Sequence, residues 1–442
     1  MTDLMQKIVS FSKRRGFIFL SSEIYGGFGS CYDFGPLGVE LKNNIKKAWW
    51  DEMIKKHNDI VGLDAAILMS PKVWQASGHL TAGFADELVE CKSCHHRFRK
   101  DFLKGSKCPD CGGILTKPKK FNLMMKTFVG PVEDEAAATY LRAETCQGIY
   151  VNFKNVLQTM RLKIPFGIAQ IGKAFRNEIN PKDFIYRTRE FEQMEMQWFC
   201  EPKTAPKLFD YWKKERLNWY LNLGIKKENL RAKEVPEKEL PHYAKRALDI
   251  EYKFPFGWQE VEGIHNRGDW DLSNHSKHSG EDLEYYDEET REKYFPHIIE
   301  TSVGVDRSLF AFLCDAYQEV KGGRTKTTES AKEIEVLLRL HKSLAPIKVA
   351  ILPLVKNKPK LVKKAKEVYQ MLKPYFMCQY DEVGSIGRRY RRQDEIGTIY
   401  CLTCDFETLK QDDLTIRARD TMKQERVKIK DLVKVLKEKI NE

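Results

Sequence analysis

The chain has 442 residues, enough for two or three domains that each bury a core. Charged residues make up 31% of it, and a net charge of +12 suits a polyanionic partner. No apolar run approaches membrane-spanning length, and the opening MTDLMQKIVSFSKRRGF lacks the apolar core of a signal peptide. The eleven cysteines are odd in number and mostly scattered, which argues against a disulfide framework and for a reducing compartment. The expectation is a cytoplasmic protein with no membrane partner.

Leu4 to Lys13 predicts a short amphipathic helix, and Gly38 to His57 a long one with Leu41, Ile45, Trp49 and Met53 along one stripe. The glycines between them are too unspecific for a phosphate loop. Cys91-Lys-Ser-Cys94 and Cys108-Pro-Asp-Cys111 then form two knuckles, the second continuing into Gly-Gly. Paired thiolates at this spacing fit a structural tetrahedral Zn2+ site, with no coordination position left open for chemistry. His95 and His96 are rival ligands between the knuckles, but the cysteines are favoured. Glu144 lies at a strand-to-helix junction in TYLRAETCQGIY, where a carboxylate can face a cavity.

Ile168 to Phe199 carries the densest signal. With a period of two it predicts two strands joined by a turn at Asn180-Pro181-Lys182-Asp183. Gln170, Gly172, Ala174, Arg176 and Glu178 share one face with Arg187, Arg189, Phe191, Gln193 and Glu195, while Tyr186, Thr188, Met194, Met196 and Trp198 face away. Small floor residues beneath arginines, a ring and carboxylates make a poor core and a good nucleotide site.

Further on, Glu201 to Leu248 predicts a helical excursion and Ala247 to Ile264 a strand on which Glu260 and Glu262 share a side. His297 to Ser302 is another strand. It leads through Gly304 into a helix whose first turn, where anions are favoured, holds Arg307. VKGGRTKTTESAKE predicts a connection to a small α/β unit with a mixed sheet. There, Arg388, Arg389, Arg391 and Arg392 around Tyr390 are the better RNA candidates, and Cys401 and Cys404 are structural.

FRNE followed by RTREFEQME resembles motif 2 of the class II aminoacyl-tRNA synthetases, and the flanking sequence resembles their homodimeric glycyl branch from about Gly16 onward. GPLGVELKNNIKKAWW stands at motif 1, whose helix builds the dimer interface, and GVDR at motif 3. Ala143 and Cys146 replace a proline and an alanine usual in the family's RPETAQG segment, and Thr301 replaces another proline.

The resemblance implies an α+β fold. Residues 1–340 would form a class II antiparallel sheet flanked by helices, with a zinc-ribbon-like insertion at 88–118 and a helical one at 201–248. Residues 346–442 would form an anticodon-binding domain. The implied reaction is ATP- and Mg2+-dependent formation of glycyl-adenylate, followed by transfer of glycine to its tRNA. ATP contacts would fall on Arg176, Asn177, Glu178, Tyr186, Arg187, Thr188, Arg189, Glu190, Phe191, Glu260, Val261, Gly304, Val305, Asp306 and Arg307. Arg176 and Arg307 would be the catalytic charges. Glycine contacts would fall on Arg99, Glu144, Phe191, Glu192, Gln193, Met194, Glu195, Glu300, Thr301, Ser302, Val303 and Gly304. Two competing readings are a non-catalytic, nucleic-acid-binding accessory subunit and a synthetase for another amino acid.

Overall fold

The computed structural model describes residues 3–81, 84–103, 105–179, 183–324 and 334–441. Most of the turn expected at residues 180–183, and residues 325–333 of the expected connection, lie outside them.

A seven-stranded sheet organises the larger part of the chain, in the order Leu230–Glu234, Arg246–Phe254, Gly257–Gly268, His297–Gly304, Glu190–Cys200, Phe166–Phe175 and Ile60–Gly62. All neighbours are antiparallel except the short Ile60–Gly62 edge. Alternation along Glu190–Cys200 explains its two faces. Met194, Met196 and Trp198 enter the main core, which the helices Pro36–Trp50, Ala205–Asn222 and Val305–Ala316 cover. Gln193, Glu195 and Gln197 point to the opposite face. That face is apolar toward one end, where Ile168, Phe199 and Ile298 join a second core, and polar over the rest, which lines the cavity described below.

Several expectations change. Strand pairing stops at Phe175 and resumes at Glu190, so Arg176, Glu178, Arg187 and Arg189 sit on a loop containing a short 3-10 turn at Phe184–Tyr186. The helical excursion contains a strand, Leu230–Glu234, that extends the sheet edge, and the long strand predicted after it is a hairpin. Trp49 is fully buried, and Trp50, half-buried, packs against the same core.

The C-terminal unit is a five-stranded mixed sheet in the order Cys378–Tyr380, Val349–Pro353, Tyr400–Cys404, Asp413–Ala418 and Gln424–Lys428. Its last strand was not foreseen. Its arginine cluster is largely engaged within the fold. Arg389 is buried and donates to the carbonyls of Pro353 (2.5 Å) and Leu354 (3.0 Å). Arg392 pairs with Asp381 at 2.6 Å, and the Tyr390 hydroxyl meets Thr403 at 2.5 Å. Arg388 remains exposed. No helix among the described residues is long and apolar enough to cross a membrane.

Candidate active site

Strand register builds the free face. One transverse row reads Asp249, Gly263, Ser302, Glu195 and Gln170; the next reads Ala247, His265, Glu300, Gln197 and Ile168. Directly opposed residues share a face, so polar groups distant in sequence meet around a cavity of about 280 Å³. Beneath it, a Cβ at Gly172 would stand 2.1 Å from Nη2 of Arg142. Glycine is therefore required for that guanidinium to lie under the sheet, where it donates to the carbonyls of Lys173 (2.6 Å) and Ala65 (2.7 Å).

One end of the cavity is acidic. Glu300 receives donors on both oxygens: His265 at 2.8 Å, Gln197 at 2.9 Å, and Nη1 of Arg267 at 3.2 and 3.3 Å. Burial opposes its ionisation, yet Arg267 and His265 hold its carboxyl at about 2. Glu195 accepts from Ser302 at 2.6 Å, from Gln193 at 3.1 Å and from Thr145. Burial, and then the charges of Glu300 and Glu144, push its carboxyl up to about 7. Glu144 is arranged differently. Cys146 (3.0 Å), Gln147 (2.9 Å) and His79 (3.3 Å) all converge on its Oε1. That leaves Oε2 with no donor among the described residues. Burial works against its charge, but His79 and then Arg267 hold the group well below the usual carboxylate range. The acidic end thus presents one ionised, open oxygen backed by two engaged carboxylates, a geometry matched to a small ammonium group.

The other end is cationic and open to solvent. Arg176 donates Nε to the carbonyl of Ala143 at 3.1 Å, and its guanidinium stands 5.5 Å from the Phe191 ring centroid. Arg307 lies over the Tyr186 ring at 4.5 Å and pairs with Glu260 at 3.2 Å. Burial favours a neutral Glu260, but Arg307 and His265 lower its pKa. Arg187 contacts Glu178 at 3.3 Å.

Of the predicted residues, Glu144, Arg176, Glu178, Tyr186, Arg187, Thr188, Phe191, Gln193, Glu195, Glu260, Glu300, Ser302, Gly304, Asp306 and Arg307 line this cavity. Tyr186 and Thr188 do so despite their expected outward orientation, because the loop breaks the two-residue period. Val261, Met194, Val303 and Val305 belong to the core on the reverse face. Thr301 shares that face by alternation and is fully buried. Glu192 is also turned away, toward Lys42 (3.0 Å) and Lys46 (3.2 Å) of the Pro36–Trp50 helix. Asn177, Arg189 and Glu190 fall outside the lining: Arg189 donates to the carbonyl of Gly29 at 2.6 Å, and Glu190 pairs with Lys173. Arg99 pairs with Asp86 (2.9 Å) and Asp101 (2.7 Å), also outside the lining. Sequence reasoning missed Tyr243, Asp249, Gly263, His265 and Arg267. The two-residue spacing of Gly263, His265 and Arg267 was the available signal.

Away from the cavity, the sulfurs of Cys91, Cys94, Cys108 and Cys111 all lie within 4.8 Å of one another. Cys91 and Cys111 are 3.5 Å apart, and Cys94 and Cys108 are 3.6 Å apart. A tetrahedron with Zn–S bonds of ~2.3 Å has edges of ~3.8 Å. His95 faces Glu90 at 3.2 Å and His96 faces Asp110 at 2.6 Å, which leaves the four sulfurs as the convergent donors.

A free antiparallel face lined by motif-2 and motif-3 arginines, followed by a mixed α/β unit, defines a class II tRNA synthetase. Residues 130–316 match the family described as tRNA synthetase class II core domain (G, H, P, S and T), and residues 348–439 match the anticodon binding domain family. The glycine--tRNA ligase of Treponema denticola is 52% identical to this chain, covering 99% of it and 97% of its own length. That of Borreliella burgdorferi is 53% identical with the same coverage, and that of Thermobifida fusca is 49% identical over 99% of this chain and 98% of its own. The chain belongs to the glycine--tRNA ligase family.

Proposed function

We propose that this protein activates glycine with ATP and transfers it to its tRNA, working in the cytoplasm as a homodimer. The supporting observation is one cavity that places Arg176, Phe191 and Arg307 beside the open carboxylate oxygen of Glu144. Adenine stacks on Phe191, with its amino group toward Glu178. Arg176 meets the α-phosphate and Arg307 the γ-phosphate. The glycine ammonium bonds Glu144, with Glu195 and Ser302 closing the wall around the α-carbon. The glycine carboxylate then attacks the α-phosphate and pyrophosphate leaves. No protein nucleophile is needed, because alignment and positive charge where negative charge builds supply the acceleration. Glu260 would hold Mg2+, which neutralises phosphate charge when bound. The C-terminal unit takes the tRNA anticodon. The accessory-subunit reading is not favoured, since its defining loss of site arginines is not seen.

ATP–pyrophosphate exchange with each amino acid in turn tests this reading. Exchange dependent on glycine alone is expected; exchange with another amino acid, or with none, would sink it. Cys91, Cys94, Cys108 and Cys111 would hold one structural Zn2+ in the insertion. Elemental analysis of protein purified without chelators should find about one zinc per chain, and its absence would remove that assignment.

A further inference from the structure

Glu260 and Glu262 are two residues apart on one strand, yet they lie on opposite faces of the sheet. The pairing with Arg246–Phe254 explains this. Ile250 opposes Glu262 and Glu251 opposes Glu260, leaving Val261 unpaired in a β-bulge. Counting back from Gly263, which faces the cavity, regular alternation would turn Glu260 to the core and Val261 to the cavity. The bulge reverses both. Glu260 lines the cavity opposite Arg307, and Val261 enters the core.

On the core side of the bulge, the fully buried Glu262 meets the fully buried Arg216 of the Ala205–Asn222 helix, Nε to Oε1 at 2.6 Å and Nη2 to Oε2 at 3.3 Å. The Arg216 guanidinium also lies over Trp219 at 4.7 Å. Its Nη1 is buried without a hydrogen-bond partner among the described residues. A buried ion pair left incompletely satisfied is no better for stability than a well-packed apolar pair. What it adds is direction. A two-point guanidinium–carboxylate contact is satisfied in only one register of the strand, whereas apolar side chains tolerate slippage.

We propose that Arg216 and Glu262 form a register lock that holds the bulge and thereby positions Glu260 at the phosphate end of the cavity. The proposal rests on the ATP reading of that end. Both are positioning residues, acting through the sheet from its reverse side. They give the Ala205–Asn222 helix a role in nucleotide binding although it never touches the cavity.

The deciding variant is the apolar double substitution Arg216→Met with Glu262→Met, which removes the lock without leaving an unpaired buried charge. Its melting temperature should stay near wild type and its glycine KM within about twofold, while its KM for ATP rises about fivefold or more. Adding Glu260→Ala to the double variant should then raise the ATP KM by less than about twofold, because both changes remove the same group from its place. A wild-type ATP KM in the double variant, equal rises in both KM values, or full additivity with Glu260→Ala would each overturn the lock. Hydrogen exchange reads the register independently of activity. The double variant should lose amide protection in 249–252 and 257–264 while the rest of the sheet keeps it; unchanged protection there also overturns the proposal. Absence of glycine-dependent exchange in the wild-type protein would instead defeat the functional reading, leaving the exchange data to decide the lock.

Discussion

The two ends of the cavity differ in how their charges are committed before a substrate enters. At the cationic end, Arg176 gives only its Nε to a backbone carbonyl, and Arg307 uses one terminal nitrogen on Glu260. Arg307 also gives its Nε to the Tyr186 carbonyl at 3.2 Å, which leaves Nη2 of Arg307 and both terminal nitrogens of Arg176 with no acceptor among the described residues. At the acidic end Glu300 and Glu195 each carry donors on both oxygens, whereas Glu144 keeps one without a donor among the described residues. The cationic end is built to supply charge to whatever phosphate arrives. The acidic end is built to admit one small cation in one place. Rate and selectivity are thus separated along a single cavity.

The largest expected effect comes from the cationic end. Arg176→Ala or Arg307→Ala should lower adenylate formation by about 10²–10³-fold, the usual scale for a charge aimed at developing negative charge. Glycine KM should change little, so pre-steady-state measurement that finds the loss mainly in glycine KM would erase the division between the ends. Second in size is Glu144→Ala. It should raise the glycine KM by about 10²-fold, as expected when a charged partner is removed, while fluorescent ATP-analogue binding stays near wild type. Unchanged glycine kinetics would show that Glu144 only shapes the wall.

A smaller effect separates the acidic groups from one another by pH. Glu144 and Glu300 stay ionised near neutrality, whereas Glu195 titrates at about 7. An ammonium favours ionised Glu195, so glycine binding below pH 7 should release a proton, and affinity should fall by up to about tenfold per unit as pH drops. Calorimetry in buffers of different ionisation enthalpy measures this, and Glu195→Gln should abolish it. The sign for stability is opposite. Between the ordinary carboxylate range and 7 the unfolded chain has already lost this proton while the folded one retains it, so the Glu195 contribution to stability falls as pH rises through that window. Melting temperatures of wild type and Glu195→Gln compared across it check the slope.

Much of this site was legible because local chemistry marks it. Arg176, Phe191 and Arg307 stand in motifs whose residue types are improbable in a core, and the paired cysteines announce themselves by spacing alone. Errors arose where the two-residue period was carried too far. Extending it past Phe175 and before Glu190 turned Tyr186 and Thr188 outward. Applying it across Val261 put Glu260 and Glu262 on one side. A loop and a bulge each break the period: Pro181 marks the turn but not how far the loop extends on either side of it, and the bulge carries no glycine or proline at Val261. The arginines around Tyr390 failed for another reason: charge density on a helix does not reveal whether carbonyls and Asp381 already take the guanidinium groups.

The sequence by itself determined the class of fold, the cysteine cluster and the arginines of the phosphate end, since each rests on residue type and short-range spacing. The resemblance already puts Glu144, Glu195, Glu300 and Ser302 at the glycine end; only the tertiary structure added His265 and Arg267 and decided which carboxylate oxygens are engaged. Glu195, Glu300, His265 and Arg267 come from three strands whose register aligns their rows, and Glu144 reaches them from the segment before the Cys146–Val151 helix. Register depends on which strands pair and on what packs behind them, and those are long-range choices that no local pattern encodes.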